Sequence, residues 1–356
     1  MTKQIAQIQK LLPPRGAALV TAPVSRRRLT GFESDHGLLF LAQDAALFLT
    51  DSRYIEAARA AITACPVEEL RDAAKQLPAL CKTHRVKRLF VELGSTTLDE
   101  VLRLRRRLPG VFVETHDSRV DKALREIRLC KTTQEADCIR RAQGIAERAF
   151  DYMLGILKLG MTEREIALAL DYAMLRGGAQ ALSFETIAVA GENGSKPHGV
   201  PGERALRAGD LLTLDFGAVI DGWHSDMTRT IAVGEPGEEQ RKLYGIVLEA
   251  QLSALAKLGP GVPCKDIDAC ARQVIEAAGY GEHFRHGTGH GVGLEIHEAP
   301  TLSRKSKDVL GAGMVVTVEP GIYQPGNCGV RIEDMALITE TGYENLTTVD
   351  KGLIVL

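Results

Sequence analysis

The amino-acid sequence predicts an α+β fold made of two domains, a small α/β domain at residues 1–128 and a larger domain at residues 129–356. In the first segment, short apolar strand patterns alternate with helical patterns. In the second segment, helical patterns precede strand patterns, and this order of elements occurs twice. The larger domain is therefore expected to consist of two pseudo-two-fold related halves, with helices packed over one curved antiparallel sheet.

The elements of the first domain follow from its alternating patterns. Strands are expected at three places, residues 37–41, 46–50 and 88–92. A helix is expected at residues 55–62, and Asp51 or Ser52 is placed to cap its start. Such an alternation of short strands and helices is typical of a small α/β domain.

Capping boxes mark the first two helices of the second domain. The box at residues 132–135 opens a long helix whose apolar positions recur every three or four residues, and Gly160 is expected to stop it. A second box at residues 162–165 opens a shorter helix that is expected to end at residues 177–178. In the other half, apolar residues at the same spacing predict a helix at residues 265–278.

An internal repeat links the two halves. The segment AGDLLTLDFG at residues 208–217 is echoed by AGMVVTVEPG at residues 312–321, with seven residues from the Ala to the acid in both. The repeated acids and histidines are Asp215, Asp226 and His198 in the first copy, and Glu319, Glu333 and His297 in the second. An acid in an apolar strand is costly to bury unless it is paired or binds a cation. A single hairpin could equally carry ordinary exposed acids on its strands. The repetition of the acids in both halves instead favours a shared metal pocket.

The second half also contains a run of histidines and glycines, HGTGHGVG, at residues 286–293. Its glycines do not have the spacing of a phosphate-binding loop, and a strand pattern rather than a helix follows them. His286 and His290 are four residues apart, but the intervening glycines exclude a helical metal-binding pair. The glycines are expected to let the backbone approach a ligand, with both imidazoles facing the same space.

Composition excludes several classes of partner. The chain is 45% apolar and 25% charged with a net charge of -2, which gives no electrostatic reason to expect nucleic acid or an anionic membrane as partner. The seven scattered cysteines argue against a disulfide framework and against a thiolate zinc site. No apolar run has the length of a signal peptide core or a membrane span, so a cytoplasmic protein with small substrates is expected.

Seven motifs occur in the order and at the separations of a known family. They are Pro-His-Gly at 197–199, Leu-Asp-Phe-Gly at 214–217, SDMTRT at 225–230, HGTGHGVG at 286–293, His-Glu at 297–298, Val-Glu-Pro-Gly at 318–321 and Arg-Ile-Glu-Asp at 331–334. The chain resembles the pita-bread metallopeptidases, specifically the proline-peptidase branch with aminopeptidase P, prolidase and the non-metal relative creatinase. The segments LTGF at 29–32 and TDSRY at 50–54 resemble the creatinase-type N-terminal domain. The resemblance therefore covers nearly the whole chain.

The resemblance implies a site for two divalent metal ions. Its ligands would be Asp215, Asp226, His290, Glu319 and Glu333, with Asp226 and Glu333 bridging the ions. Independently, four carboxylates in one pocket would repel each other unless cations of total charge about +4 lay among them. Mostly oxygen ligands with a single imidazole favour Mn²⁺, with Co²⁺ or Zn²⁺ as alternatives.

The same resemblance assigns the remaining residues of the site. Hydrolysis would use a water held between the two metals, with Glu319 as the general base. His198 and His297 would stand on either side of the substrate, where they can donate to the oxyanion or transfer a proton. His286 is expected in the substrate-binding shell. Arg331 would face the same pocket, bind substrate and orient the ligand carboxylates.

The predicted function is that of an Xaa-Pro aminopeptidase acting on peptides with proline in the second position, and a homodimer is expected by resemblance. The alternative is an Xaa-Pro dipeptidase. At the position of Thr301, compact prolidases have an Arg that can bind the free carboxylate of a dipeptide. In this chain, Arg304 lies close enough in sequence to take the place of that Arg. A remoter alternative is an inactive peptide-binding module, against which the complete ligand set and both histidines argue.

Overall fold

The computed structural model describes residues 2–356 and divides into two compact units, Met1–Arg128 and Leu129–Leu356. Both units combine helices with sheets, as the predicted α+β class requires. Within residues 2–356, every helix is too short or too polar to cross a bilayer.

The first unit contains a mixed sheet. Its strands are β1 (Gly16–Val20), β2 (Leu38–Ala42), β3 (Ala46–Thr50), β4 (Val67–Glu69), β5 (Arg88–Val91) and β6 (Phe112–Glu114). Its helices are α1 (Lys3–Leu11), α2 (Pro23–Thr30), α3 (Ile55–Ala61), α4 (Ala73–Thr83), α5 (Leu98–Arg107) and α6 (Arg119–Leu129). The strand order is β4-β3-β2-β1-β5-β6. Side chains of β1 alternate between two apolar cores, Ala17 and Leu19 in one and Ala18 and Val20 in the other, because both faces of the sheet are covered.

The three predicted strands of this unit are confirmed within one residue at either end, but the predicted cap of α3 is wrong. Helix α3 begins at Ile55 with Tyr54 at its N-cap position, and no side chain caps it. The Asp51 carboxylate instead accepts a hydrogen bond from the backbone N–H of Arg53 at 3.0 Å. The Asp51 side chain is therefore engaged in a local turn that precedes the helix and does not cap it.

The second unit contains four α-helices and the antiparallel strands. The helices are α7 (Thr133–Ile156), α8 (Glu163–Arg176), α9 (Glu238–Ala256) and α10 (Cys264–Ala277). The strands are β7 (Ala181–Leu182), β8 (Ile187–Ala190), β9 (Asp210–Phe216), β10 (Ala218–Ile220), β11 (Trp223–His224), β12 (Met227–Val233), β13 (Gly289–Gly291), β14 (Glu298–Leu302), β15 (Val315–Val318), β16 (Gly321–Gln324), β17 (Cys328–Arg331), β18 (Asp334–Ile338) and β19 (Tyr343–Asn345).

Both predicted capping boxes are present, with Thr132 and Thr162 as the N-caps of α7 and α8. The predicted end of α7 is wrong, because the helix ends at Ile156 and Leu157 is already extended. Gly160 adopts φ 86° in a separate turn and donates its N–H to the carbonyl of Leu206. Helix α9 was not predicted, although its buried residues follow a helical period.

Each half of this unit packs two helices against antiparallel strands. In the first half, α7 and α8 cover the sheet β12-β9-β8, and in the second, α9 and α10 cover the sheet β14-β13-β15-β18-β19. The two sheets meet through the backbone N–H of Glu333, which donates to the carbonyl of Thr228 at 3.1 Å. The Thr230 hydroxyl also donates to the carbonyl of Arg331. This junction brings the acid-bearing ends of the two halves together.

Candidate active site

A cavity of about 640 Å³ lies at this junction. All nine residues that the sequence singled out line it: His198, Asp215, Asp226, His286, His290, His297, Glu319, Arg331 and Glu333. The structure therefore brings together residues that lie up to 135 positions apart in the chain, as His198 and Glu333 do. What these residues can do depends on their geometry and charge.

Strand alternation places the acids of the first half. Leu214 and Phe216 are buried in the apolar core beneath α7 and α8, so Asp215 between them points to the opposite face of β9. Asp215 is paired with Thr228 across the β9–β12 ladder. Asp226 immediately precedes β12 and is buried in the same cavity. Asp215 is therefore fixed by a strand whose other face is held in the core, and Asp226 lies just before the strand paired with it.

One threonine aligns two of the site residues in the second half. The Thr317 hydroxyl of β15 accepts the backbone N–H of His290 at 3.1 Å and donates to the Glu319 carboxylate at 3.3 Å. The backbone N–H of Glu319 donates to the carbonyl of Thr288 at 2.8 Å. Glu333 lies between β17 and β18, and the Thr228 hydroxyl donates to its carboxylate at 2.7 Å.

The acids and His290 form a close cluster. Asp226, His290 and Glu333 each offer a ligand atom within 4.8 Å of the other two. The Nε2 atom of His290 lies 3.6 Å from Asp226 Oδ2 and 3.4 Å from Glu319 Oε1. Asp215 is held from its other side by Arg331, whose Nη2 donates to Asp215 Oδ2 at 2.5 Å.

The cluster is electrostatically unfavourable without a cation. Burial raises the pKa of Asp226 well above its usual range, and the charge of Glu333 adds to this effect. Burial likewise raises the pKa of Glu333, and it raises the pKa of Glu319 to about 8. Burial lowers the pKa of His290 to about 4, so this imidazole is neutral at pH 7 and free to bind a metal.

Unsatisfied oxygen atoms provide a direct test of whether a metal fits here. Within residues 2–356, Asp215 Oδ1 and Glu333 Oε1 are buried and have no hydrogen-bond partner. A buried carboxylate oxygen without a partner is costly unless a cation binds it. The second oxygen of each group already has a donor, Arg331 for Asp215 and Thr228 for Glu333. The residues present therefore fit an oxygen-rich site for divalent cations.

The other histidines surround this cluster. The His297 ring lies 4.4 Å from that of His290, measured between centroids. His198 is exposed on the cavity wall between β8 and β9. His286 places Nε2 at 3.0 Å from the Tyr323 hydroxyl, and burial lowers its pKa to about 4. His286 is therefore a neutral hydrogen-bonding group at pH 7.

Comparison with known proteins gives the family. Residues 137–340 match the model of metallopeptidase family M24, and residues 13–130 match the creatinase/prolidase N-terminal domain. The chain belongs to metallopeptidase family M24. This membership confirms the resemblance drawn from the motifs and the two-part fold, and it implies divalent metal ions as cofactors.

Relatives match this M24 peptidase over almost its full length. The uncharacterized peptidase YqhT of Bacillus subtilis is 39% identical over 339 residues, which are 95% of each chain. An Xaa-Pro dipeptidase from Bacillus anthracis superposes with a TM-score of 0.95 at 36% identity and 99% coverage of both chains. An X-Pro aminopeptidase from Thermotoga maritima gives a TM-score of 0.90 at 32% identity, covering 98% of this chain and 100% of that one. The two solved relatives differ in the activity that their names give.

Some residues of the M24 site were not predicted from the sequence. Tyr323 lines the cavity, accepts a hydrogen bond from Arg331 Nη1 at 2.8 Å, and contacts His286. Thr228 and Thr317 hold the carboxylates of Glu333 and Glu319. A weak signal existed for the threonines, because each lies two residues from a predicted ligand on an alternating strand and so faces the same side.

A buried ion pair supports the second half of the site from behind. On α10, Asp268 accepts two hydrogen bonds from Arg272, at 2.8 and 2.9 Å. Asp268 also accepts the backbone N–H and the hydroxyl of Thr288, whose carbonyl holds Glu319. Arg272 donates to the carbonyl of His286 at 2.8 Å. The helix therefore fixes the loop that carries His286 and the backbone of Glu319.

Replacing Asp268 by Ala is expected to lower the free energy of unfolding by about 3–5 kcal/mol, because Arg272 would remain buried without its partner. Glu276→Ala on the same helix is the matched control. Glu276 pairs with Arg304 at the surface, so its loss should cost less than about 1 kcal/mol. Chemical denaturation of the two variants side by side measures the difference, and equal costs would show that the buried pair has no special structural role.

Proposed function

We propose that this M24 metallopeptidase is an Xaa-Pro aminopeptidase, which removes the N-terminal residue from peptides with proline in the second position. The observation that supports a hydrolytic metal site is the cluster of four carboxylates and one imidazole in a single cavity, with two carboxylate oxygens lacking partners. Specificity for proline rests on the names of the solved relatives.

The proposed cofactor is a pair of divalent ions, Mn²⁺ first and Co²⁺ or Zn²⁺ as alternatives. Asp215, Asp226, His290, Glu319 and Glu333 would hold them, with Asp226 and Glu333 shared between the two ions. Two divalent cations balance the four carboxylate charges, and the donor set of mostly oxygens with one neutral imidazole suits Mn²⁺.

Each residue then has a task in peptide hydrolysis. The bound ions would supply positive charge that lowers the pKa of a water molecule and polarises the scissile carbonyl. Glu319 would accept the proton of that water and pass it to the leaving nitrogen. His297, beside His290, and His198, which lines the same cavity, would donate hydrogen bonds to the oxygen that gains negative charge.

The outer part of the site would hold the substrate and its ligands in place. His286 and Tyr323 present a hydrogen-bonded pair to the cavity, and Arg331 fixes the position of Asp215 while facing the same space. Arg331 would thus orient a metal ligand and contact substrate.

We also propose a cytoplasmic homodimer. The seven scattered cysteines support the compartment, and the dimer rests on resemblance.

Substrate length separates the proposed aminopeptidase from a dipeptidase. Thr301 lines the cavity but carries no charge that could form an ion pair with the free carboxylate of a dipeptide. Arg304 is paired with Glu276 at 2.5 Å and lies outside the residues that line this cavity. The name of the Bacillus anthracis relative favours the second candidate, an Xaa-Pro dipeptidase.

We expect Ala-Pro-Ala to be hydrolysed with a kcat/KM at least as high as that of Ala-Pro, because Thr301 gives the shorter substrate no ionic contact. Steady-state kinetics with added Mn²⁺ compare the two peptides directly. A preference for the dipeptide of tenfold or more, about 1.4 kcal/mol in transition-state binding, would instead identify a dipeptidase. Arg304 would then be the first residue to replace.

The metal-free protein is expected to lose stability as the pH rises from about 5 to about 8. The pKa of Glu319 is raised from its ordinary value of 4.5 to about 8, and the pKa values of Asp226 and Glu333 are also raised. A carboxyl whose folded pKa is raised stabilises the fold while protonated, and this contribution is lost as the pH rises through the folded value. Melting temperatures with a chelator at each pH measure the effect. Glu319→Gln should flatten the profile, and a wild-type melting temperature that rises over this range would contradict the expectation.

A further inference from the structure

One carboxylate in the cavity lies outside the proposed metal cluster. Among the described residues, five carboxylates line the cavity, and four of them belong to the cluster. The fifth, Glu185, is exposed on the wall and forms no hydrogen bond or ion pair with any residue in 2–356. Its charge is therefore available to a molecule that enters the cavity.

The segment that leads into β8 lines the cavity at residues 184–187. Ile187 of β8 is paired with Asp215 of β9, so both side chains lie on the cavity face. Thr186 also lines the cavity, but its hydroxyl is already used in a hydrogen bond to Asp171 of α8 at 2.5 Å. Glu185 lines the cavity two residues before Ile187, at most about 7 Å from it along the chain.

Several apolar residues share the lining of the cavity with Glu185. Phe184, Ile187, Val200 and Ile296 all line the same cavity. A lining that combines apolar residues with an unpaired carboxylate matches a side chain with an aliphatic stem and a cationic head, as in lysine and arginine. The stem would cover the apolar residues while the head reaches the charge.

Chain geometry distinguishes this side chain from the substrate's own α-ammonium group. The α-ammonium is two bonds from the scissile carbonyl carbon, about 2.5 Å, so it must stay beside the metal cluster. The charged head of lysine or arginine extends about 6 Å or more beyond its Cα. Glu185 is displaced along the chain from Ile187, which faces Asp215 in the cluster, and this suits the longer reach.

The position of Glu185 in the cavity also suits a contact with the N-terminal residue of a substrate. Thr301 is paired with His290 on the second half of the domain and marks the proline side in the proposed function. Glu185 precedes β8 on the first half. We propose that Glu185 is a specificity residue that favours substrates whose N-terminal residue is arginine or lysine. This inference rests on the proposed Xaa-Pro activity and extends it to the residue before proline.

The test compares arginine with citrulline, its neutral isostere. Dipeptides and tripeptides of the series Arg-Pro, Cit-Pro, Arg-Pro-Ala and Cit-Pro-Ala are assayed with Mn²⁺, and the Arg to Cit ratio of kcat/KM is taken for the length that is cleaved faster. The wild-type ratio should be about fivefold or more, and added NaCl should lower it. Glu185→Gln should bring it to about one, and Glu185→Lys should invert it. Glu203→Gln is the matched control, since Glu203 pairs with Arg164 outside the lining of this cavity and its loss should leave the ratio as in the wild type.

Each outcome decides the proposal. A Glu185→Gln variant that keeps the wild-type ratio overturns it. An equal loss of activity on both peptides also overturns it, because Glu185 would then hold the α-ammonium group that both substrates share. A wild-type enzyme that cleaves Ala-Pro and Ala-Pro-Ala but has an Arg to Cit ratio of one overturns this inference alone. Failure to cleave any Xaa-Pro peptide overturns the proposed function and this inference with it.

Discussion

Replacing Asp226 by Asn, or Glu333 by Gln, is expected to remove bound metal and activity together. Both carboxylates lie within 4.8 Å of His290 in the cluster, and an amide offers one neutral oxygen in place of two charged ones. We expect kcat/KM for an Xaa-Pro peptide to fall by at least about a thousandfold, since loss of a single preorganised charge contact already costs up to about that much. Metal content after dialysis and steady-state kinetics on the same samples measure both effects.

Glu344→Gln is the matched control for these variants. Glu344 lies in the same half of the domain, on β19, but pairs with Arg140 at the protein surface. This variant should keep its metal and its activity. Melting temperature with and without Mn²⁺ separates loss of metal from loss of the fold, because a bound ion stabilises only the folded chain. Full metal content with normal turnover in Asp226→Asn or Glu333→Gln would rule out the two-metal assignment.

His297→Ala is expected to keep the metals but to lower kcat by about a hundredfold or more. The His297 ring lies beside that of His290 and lines the cavity, where it can donate to the developing negative charge or move a proton. Metal analysis and kinetics of the purified variant test this expectation. The control variant is His116→Ala, which removes an exposed histidine of the first unit, outside the candidate site.

The pattern of the result assigns the role of His297. Retained metal with a slow chemical step supports its part in proton transfer or oxyanion binding. Loss of metal in His297→Ala would instead make this histidine a ligand and show that the proposed ligand set is incomplete. A kcat within twofold of the wild type would remove His297 from the catalytic residues.

The internal repeat explains why so much of the site could be predicted. Asp215 and Glu319 occupy equivalent places in two copies of one segment, and both line the cavity. An acid that recurs at the same place in an apolar strand signals function, because packing alone selects against it. His290 could be placed as a ligand only through the resemblance of its motif to the family, because the flanking glycines by themselves indicated no more than a close approach of the backbone to a ligand.

Residues whose importance depends on contacts between the halves escaped prediction. Tyr323 has the sequence surroundings of an ordinary strand residue, and only the folded chain shows its contacts with His286 and Arg331. The same holds for Thr228, whose hydroxyl reaches Glu333 of the other half. The predicted cap of α3 was wrong because the Asp51 side chain bonds within a local turn before the helix begins.

The junction between the two halves has a consequence for motion. Each half is folded around its own helices, and the halves meet where the Glu333 amide bonds to the Thr228 carbonyl and the Thr230 hydroxyl bonds to the Arg331 carbonyl. Carboxyl groups from both halves face each other at this seam, so a bound divalent cation would hold the halves together, and ionisation of the empty cluster at high pH would push them apart. Metal occupancy is therefore expected to affect how often the seam opens as well as the chemistry at the site.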